Sequence, residues 1–370
     1  VGSLARAGFA AWAVDLFADR DLKRIAPVVR CPSDRYPHAL PELCDAFPPG
    51  PVLYTGGLEN HPRVVAELAA RRPLWGNPPD VLERVRDPFQ LHDVLTAVGL
   101  PVPRLVPPGE PAPESGSWLC KPLRGAGGHG IRYATPGDAP PPTRYLQEFI
   151  NGPPMSALFV TKLERVVLIG VTEQLVGEPW LHAAPFQYAG NVGPVLTPQL
   201  HVALERMADV LAAAAGLRGI WGIDFILQND TPYPVELNPR YTAGVEALEH
   251  GTGVNCLLVH ANCFPTPDPD RMKTWQHFRA IVGKAIYFAP HRLTFPTSGP
   301  WDADLTGEFD PWRVPGFADI PEPGEVIEPG WPVLTFFATG STPDEVRGRL
   351  QSRAAELDTL FSRDAERRNP

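Results

Sequence analysis

Residues 219–240, GIWGIDFILQNDTPYPVELNPR, constrain this chain more than any other stretch. Two apolar runs of strand length flank a polar turn at Asn229-Asp230-Thr231, the pattern of a β-hairpin. Asp224 lies on the first run, and Glu236, Asn238 and Arg240 occupy alternate positions of the second, so period two puts those three on one face. The return of the hairpin brings Asp224 level with them. Two carboxylates, an amide and a guanidinium on one surface suit magnesium bound to a polyphosphate. Hard cations take carboxylate and amide oxygens, and arginine stabilises the charge of a transferring phosphoryl group. The same residues also allow a plain salt bridge from Arg240 to Glu236 or Asp224. Without a ligand, however, burying three polar groups beside apolar strands is costly.

A second motif, WLCKPLRGAGGHGIRY, sets Lys121 in a strand, follows it with glycines at 125, 127, 128 and 130, and returns in another strand. Such a hairpin folds over phosphates, because backbone N–H groups without a Cβ approach oxygens closely and the lysine adds a fixed charge. A flexible hairpin with a salt-bridged lysine is the blander reading. It is neither a GxxxxGK[ST] phosphate loop nor a dinucleotide fingerprint, since a strand and not a helix follows. A third segment, RYLQEFINGPPMS, ends an apolar strand in Gln147 and Glu148, followed by Phe149, Ile150 and a turn at Asn151-Gly152. Taken alone, that is a strand and its turn.

Around these motifs the chain divides into three. Residues 1–105 alternate short apolar runs with helical stretches, such as VLYTGG followed by a helix opened by Pro62, the rhythm of a parallel α/β unit. Because the chain starts with the back half of a helix and then a strand over Ala11–Leu16, a missing first strand is expected. Two helices separated by Asp87-Pro88 and ended by Gly99 precede the linker PPGEPAPESGS. Residues 106–270 hold the motifs, mostly as antiparallel strands, with a helix capped at Thr197-Pro198. Residues 271–370 are strand-rich and close with a helix from Pro343 to about Arg363.

Composition narrows the partners. With 44% hydrophobic and 20% charged residues and a formal net charge of −9 free of basic stripes, nucleic acid is not an expected partner. No apolar run approaches the roughly 18 residues that span a bilayer. Five scattered cysteines without a CxxC pair fit a cytoplasmic protein better than a disulfide scaffold.

In order, RDPFQLHDVLTAVGLPVP, CKPLRGAGGHGI, LQEFINGP, GIDFI and VELNPR resemble the ATP-grasp superfamily over roughly residues 75–260. The resemblance implies an α/β (α+β) ATP-grasp fold with an N-terminal parallel α/β domain and a small C-terminal β-rich domain like that of biotin carboxylase-type members. It also implies that ATP and magnesium are cofactors, with manganese an alternative. Lys121 and the loop Gly125, Gly127, Gly128 and Gly130 would bind phosphates, and Glu148, Phe149 and Ile150 would form the adenine hinge. Asp224, Glu236 and Asn238 would hold the metal, and Arg240 with Lys121 would serve catalysis. Many members have a lysine where this chain has Arg86-Asp87-Pro88, so Arg86 stands in for it. Their ribose-binding glutamate is replaced by Pro153-Pro154-Met155-Ser156.

Within the superfamily, FQYAGNVGP and NPRYTAGVEALEHGTGVN look most like predicted carboligases of one-carbon pathways that use methanofuran and tetrahydromethanopterin, and like tyramine–glutamate ligase. That likeness implies amide formation between a small carboxylate and an amine through an acyl phosphate, with glutamate ligation in one-carbon cofactor biosynthesis as its setting. A biotin carboxylase-like carboxylase using carboxyphosphate and a non-catalytic ATP-binding regulator are the alternatives. A homodimer is compatible with the resemblance. His129, His182, Tyr188, Asn191 and Glu246 are the polar residues expected near the acceptor, while His250 and His260 are read as packing residues.

Overall fold

The computed structural model describes residues 1–195, 198–265 and 279–368, so the expected cap at Thr197 lies outside the described residues. The N-terminal part runs α1 (Gly2–Arg6), β1 (Ala13–Asp15), α2 (Arg20–Ile25), β2 (Val28–Arg30), α3 (Leu40–Cys44) and α4 (Pro62–Arg71). Strands β1 and β2 are parallel, with Ala13 opposite Val28. Strand β1 is shorter than the apolar run because Asp15 Oδ1 accepts from the backbone N–H groups of Phe17 and Ala18 and turns the chain. The expected strand at VLYTGG reduces to one parallel bridge, Val52 to Leu74. Helix α4 starts at Pro62, whose missing N–H costs nothing in a first turn, and buries Val64, Val65 and Leu68.

Helices α5 (Pro79–Val85) and α6 (Pro88–Ala97) meet at Asp87, whose carboxylate caps α6 through Phe89 N and Gln90 N. Strands β3 (Leu105–Val106), β4 (Trp118–Pro122), β5 (Arg132–Ala134) and β6 (Arg144–Glu148) form an antiparallel sheet in the order β3-β6-β4-β5. Beyond it come β7 (Pro154–Lys162), β8 (Arg165–Val176), β9 (Tyr188–Gly193), α7 (Pro198–Ala215), β10 (Gly219–Gln228), β11 (Thr231–Asn238), α8 (Gly244–Thr252) and α9 (Cys256–Ala261). Alternation along β10 divides the core. Trp221, Ile223 and Phe225 pack with Leu204, Met207 and Leu211 of α7, while Ile220 packs with Val245 and Leu248 of α8. Each such side chain, fully buried, contributes roughly 1.5–3 kcal/mol relative to exposure.

The last part comprises β12 (Ile281–Phe288), β13 (Leu293–Thr294), α10 (Asp302–Thr306), β14 (Phe317–Ala318), β15 (Val326–Ile327), β16 (Pro332–Gly340) and α11 (Pro343–Arg368). Helix α11 lays Val346, Leu350, Ala354, Leu357 and Phe361 onto the sheet at helical spacing. It comes so close at Gly283 that a Cβ there would stand 2.5 Å from Val346. The eight-stranded sheet runs β11-β10-β7-β8-β9-β12-β16-β14. The division expected at 270/271 lies outside the described residues; on either side of it, β9 and β12 pair in the same sheet. Among the described residues no helix is long and apolar enough to cross a membrane.

Candidate active site

Asp224 and Glu236 are Cα partners across the β10–β11 hairpin, with a bulge following Asp224. The turn is made by Asn229 and Asp230, both at positive φ (48° and 59°), a conformation these two residue types tolerate. Asn238 donates through Nδ2 to Asp224 Oδ2 at 3.0 Å and accepts at Oδ1 from Arg240 at 3.1 Å. Burial, and then the neighbouring Glu236 charge, push the Asp224 carboxyl up to about 6, against downward pulls from Ser156 and Gln174. Two side-by-side carboxylates whose repulsion a dication would relieve fit a metal ligand set. No cluster of three His, Cys, Asp or Glu able to hold a metal occurs among the described residues.

Arg240 forms neither of the salt bridges the sequence allowed. Its Nη2 reaches Glu59 Oε1 at 2.7 Å, and Glu59 is 1% exposed. Burial works against both charges. It is outweighed for Arg240 by Glu59, Glu236 and Asp224, and for Glu59 by the hydrogen bond and charge of Arg240, so the pair is ionised. Arg240 Nε and Glu59 Oε2 are buried without a partner, leaving a donor and an acceptor for a ligand or water. Glu236 is bound instead by Arg86 at 3.3 Å. Arg86 also donates to the Gly125 carbonyl at 2.9 Å, and its Nε is likewise buried and unpartnered.

Lys121 extends from β4 to Gln147 Oε1 at 2.7 Å and to the Val235 carbonyl at 3.2 Å. The glycine loop lies over this cluster. Gly127 accepts at its carbonyl from Tyr188 N at 3.1 Å, and Gly128, at φ +78°, sits where a Cβ would stand 1.8 Å from the Phe186 carbonyl oxygen. Asn60 Nδ2 also donates to Gly125 O, at 3.3 Å. Beneath the loop a cavity of about 110 Å³ is lined by Lys121, His129, Ile131, Gln147, Ile223 and Leu237, among others.

The hinge residues divide by parity. Glu148 turns out of this cavity, accepting from Arg104 N, Nε and Nη2 at 3.0–3.1 Å, while Gln147, one position earlier, points in and is 3% exposed. The N–H groups of Glu148 and Phe149 donate to the carbonyls of Arg104 and Ser117. The sequence offers Gln147 and Glu148 together but assigns the role to Glu148; the register of β4 against β6 is what sets Gln147 beside Lys121. Nothing in the sequence offers Glu59, which lies 181 residues from Arg240 and leaves no local trace.

Of the expected acceptor residues, Tyr188 hydrogen-bonds Asn191, and Asn191 donates to Thr172 at 2.8 Å. Glu246 pairs with Lys284 at 2.8 Å, His129 lines the small cavity, and His182 is elsewhere, bound to Asp358 at 2.7 Å. His250 and His260 are buried, and burial takes each down to about 4.

Residues 85–244 match the ATP-grasp domain family, and the chain has an ATP-grasp fold. The biotin carboxylase domain of 2-oxoglutarate carboxylase from Hydrogenobacter thermophilus, solved with MgADP, ADP and bicarbonate, superposes with a TM-score of 0.67 at 15% identity, covering 95% of this chain and 85% of that one. The L-amino acid ligase of Bacillus licheniformis superposes at 0.65 with 17% identity, covering 95% and 97%. In sequence, an uncharacterised protein of Methanocaldococcus jannaschii is 24% identical over 229 residues, 60% of this chain and 48% of its own length. The chain spans about half the length of that relative or less of the others it matches.

Proposed function

We propose that this chain is an ATP-dependent ligase that joins a carboxylate to an amine through an acyl phosphate and releases ADP and phosphate. The observation that carries this reading is one cavity lined by Lys121, Arg86, Gly125, Gly128 and Glu236, with Asp224 paired across the hairpin to Glu236 and Asn238 bonded to both Asp224 and Arg240. Lys121 and the loop N–H groups bind the α and β phosphates. With the Glu148 and Phe149 N–H groups already engaged, adenine is left the backbone at Ile150 and the amide of Gln147. Asp224 and Glu236, with Asn238 alongside, would hold magnesium, which when bound neutralises charge on the nucleotide phosphates.

Arg240, held by Glu59, stabilises the charge on the transferring phosphoryl group. A substrate carboxylate oxygen attacks the terminal phosphorus and ADP departs. The amine then attacks the acyl carbon, phosphate departs, and the nitrogen loses a proton to solvent. Phosphoryl transfer of this kind depends mainly on positioning and electrostatics, so the first step needs no dedicated base. Glutamate ligation in one-carbon cofactor biosynthesis is the narrower form of the proposal. Incubation with Mg-ATP and a panel of carboxylates and amines, followed by chromatography of the nucleotide, tests it. ADP formed only with acid present supports the reading, whereas AMP as main product overturns it. ADP formed with bicarbonate alone would favour the carboxylase alternative.

A further inference from the structure

A second cavity, about 1210 Å³, counts Arg240, Tyr241, Thr242, Glu246 and Lys284 among its lining residues. Lys284 lies on β12 in register with Asn191 of β9, and its Nζ reaches Glu246 Oε2 at 2.8 Å. The two side chains remain 15% and 22% exposed. An ammonium has three donors and a carboxylate about four acceptor sites, so their mutual bond, with the Phe337 ring 5.9 Å from Lys284 Nζ, leaves hydrogen-bonding capacity on both. Burial opposes both charges, yet Lys284 and Arg6 hold the Glu246 carboxyl down to about 2, and Glu246 and Asp319 hold Lys284 up. Both are charged across the ordinary pH range.

We propose that Lys284 and Glu246 recognise an α-amino acid zwitterion, Lys284 taking its α-carboxylate and Glu246 its α-ammonium, and that the side-chain carboxylate of the same molecule is the group activated at Arg240. This rests on the ligase reading and assigns the acid substrate of that site. The pair presents a cation and an anion side by side, 2.8 Å apart, so a ligand that carries both charges on adjacent groups can engage both members, whereas a singly charged one engages only one. An amine held as an ammonium in an ion pair with Glu246 has no lone pair for attack. The amino acid therefore enters as the acid, through a carboxylate other than the one Lys284 holds.

The test is calorimetric binding to the full chain with Mg-ADP present. L-glutamate and L-aspartate are compared with glutarate and succinate, which lack the ammonium, and with the α-amides of the two amino acids. Loss of either α-group should weaken binding about tenfold to a hundredfold, the scale of a charged hydrogen bond. Lys284→Met should remove discrimination against the α-amides, and Glu246→Gln discrimination against glutarate. A pair with only a structural role would lower the melting temperature and leave the wild-type ligand series flat. Where a variant does not fold, that wild-type series decides alone. Equal binding of the analogues, or no binding of either amino acid while Mg-ADP binds, overturns the proposal. ADP release with glutarate at the glutamate rate would sink the subsite and leave the ligase. Discriminating binding with no ADP release under any acid and amine would sink the ligase and leave the subsite.

Discussion

Gly128→Ala separates the conformational demand of the glycine loop from its contact demand. The added methyl carbon would stand 1.8 Å from the Phe186 carbonyl oxygen and 2.7 Å from its carbon. Contacts below 3.0 Å are essentially absent from real structures, so the loop has to retreat by more than an ångström. Gly127 is the control: its φ is also positive, +60°, but a Cβ there meets only His129 at 3.7 Å. At Gly127 the cost is the left-handed backbone alone, about 1–2 kcal/mol, or roughly a 5- to 30-fold loss if all of it falls on the closed loop. At Gly128 the displacement is added, and a misplacement of about 1 Å is worth on the order of a hundredfold in rate. Gly128→Ala should therefore lose at least about a hundredfold in kcat/KM for ATP, clearly more than Gly127→Ala. Gly127 is exposed and Gly128 half-buried, and the strain falls on the loop and not on the sheets, so the melting temperature should fall by no more than a few degrees in either variant. Steady-state ADP release with a melting-curve control measures this. Equal losses in the two variants, or near-normal turnover in Gly128→Ala, would refute the role given to the Phe186 contact.

Glu236→Gln should abolish ADP release with the fold intact, and should return the Asp224 carboxyl from about 6 toward the ordinary range, since the Glu236 charge contributes to its elevation; a carboxyl NMR titration reads the second effect. Arg240→Lys should lower turnover more than ATP affinity, by about 2.7–4 kcal/mol, because a point charge does not reproduce the planar fork; comparing kcat with ATP binding checks it. Glu59→Gln should lower kcat more than it raises KM and cost about 3–5 kcal/mol of stability, as breaking a buried ion pair does; kinetics and denaturant melts measure both. Asp19 is pushed up to about 8 by burial and by Asp319, Asp21 and Asp15. A carboxyl with a raised folded pKa favours the folded state below its unfolded value near 4 and loses that benefit as pH rises through about 8. Asp19→Asn should therefore leave the melting temperature nearly unchanged at pH 4 and raise it increasingly up to pH 8, and a flat difference across that window would contradict the assignment.

What the sequence determined by itself was local and periodic. Alternation in β11 placed Glu236 and Asn238 on one face, and the turn at Asn229-Asp230 returned Asp224 beside them. Asp87-Pro88 marked a helix start because a carboxylate and a missing N–H both suit the first turn. The closing helix from Pro343 to about Arg363 is likewise legible in the sequence, and the structure adds that α11 buries the stripe from Val346 to Phe361. The tertiary structure decided what depends on pairing between distant strands and on one-residue parity. Nothing near Glu59 announces Arg240, and nothing near Lys284 announces Glu246, because each pair joins elements whose neighbours are chosen by the whole sheet. Likewise, the pairing of β12 with β9 carries one sheet across the expected boundary at 270/271. The exchange of Gln147 for Glu148 beside Lys121 has the same physical origin. In a strand a shift of one residue reverses the face, and only the register of β4 against β6 sets which of the two points toward Lys121 and the cavity beneath the glycine loop.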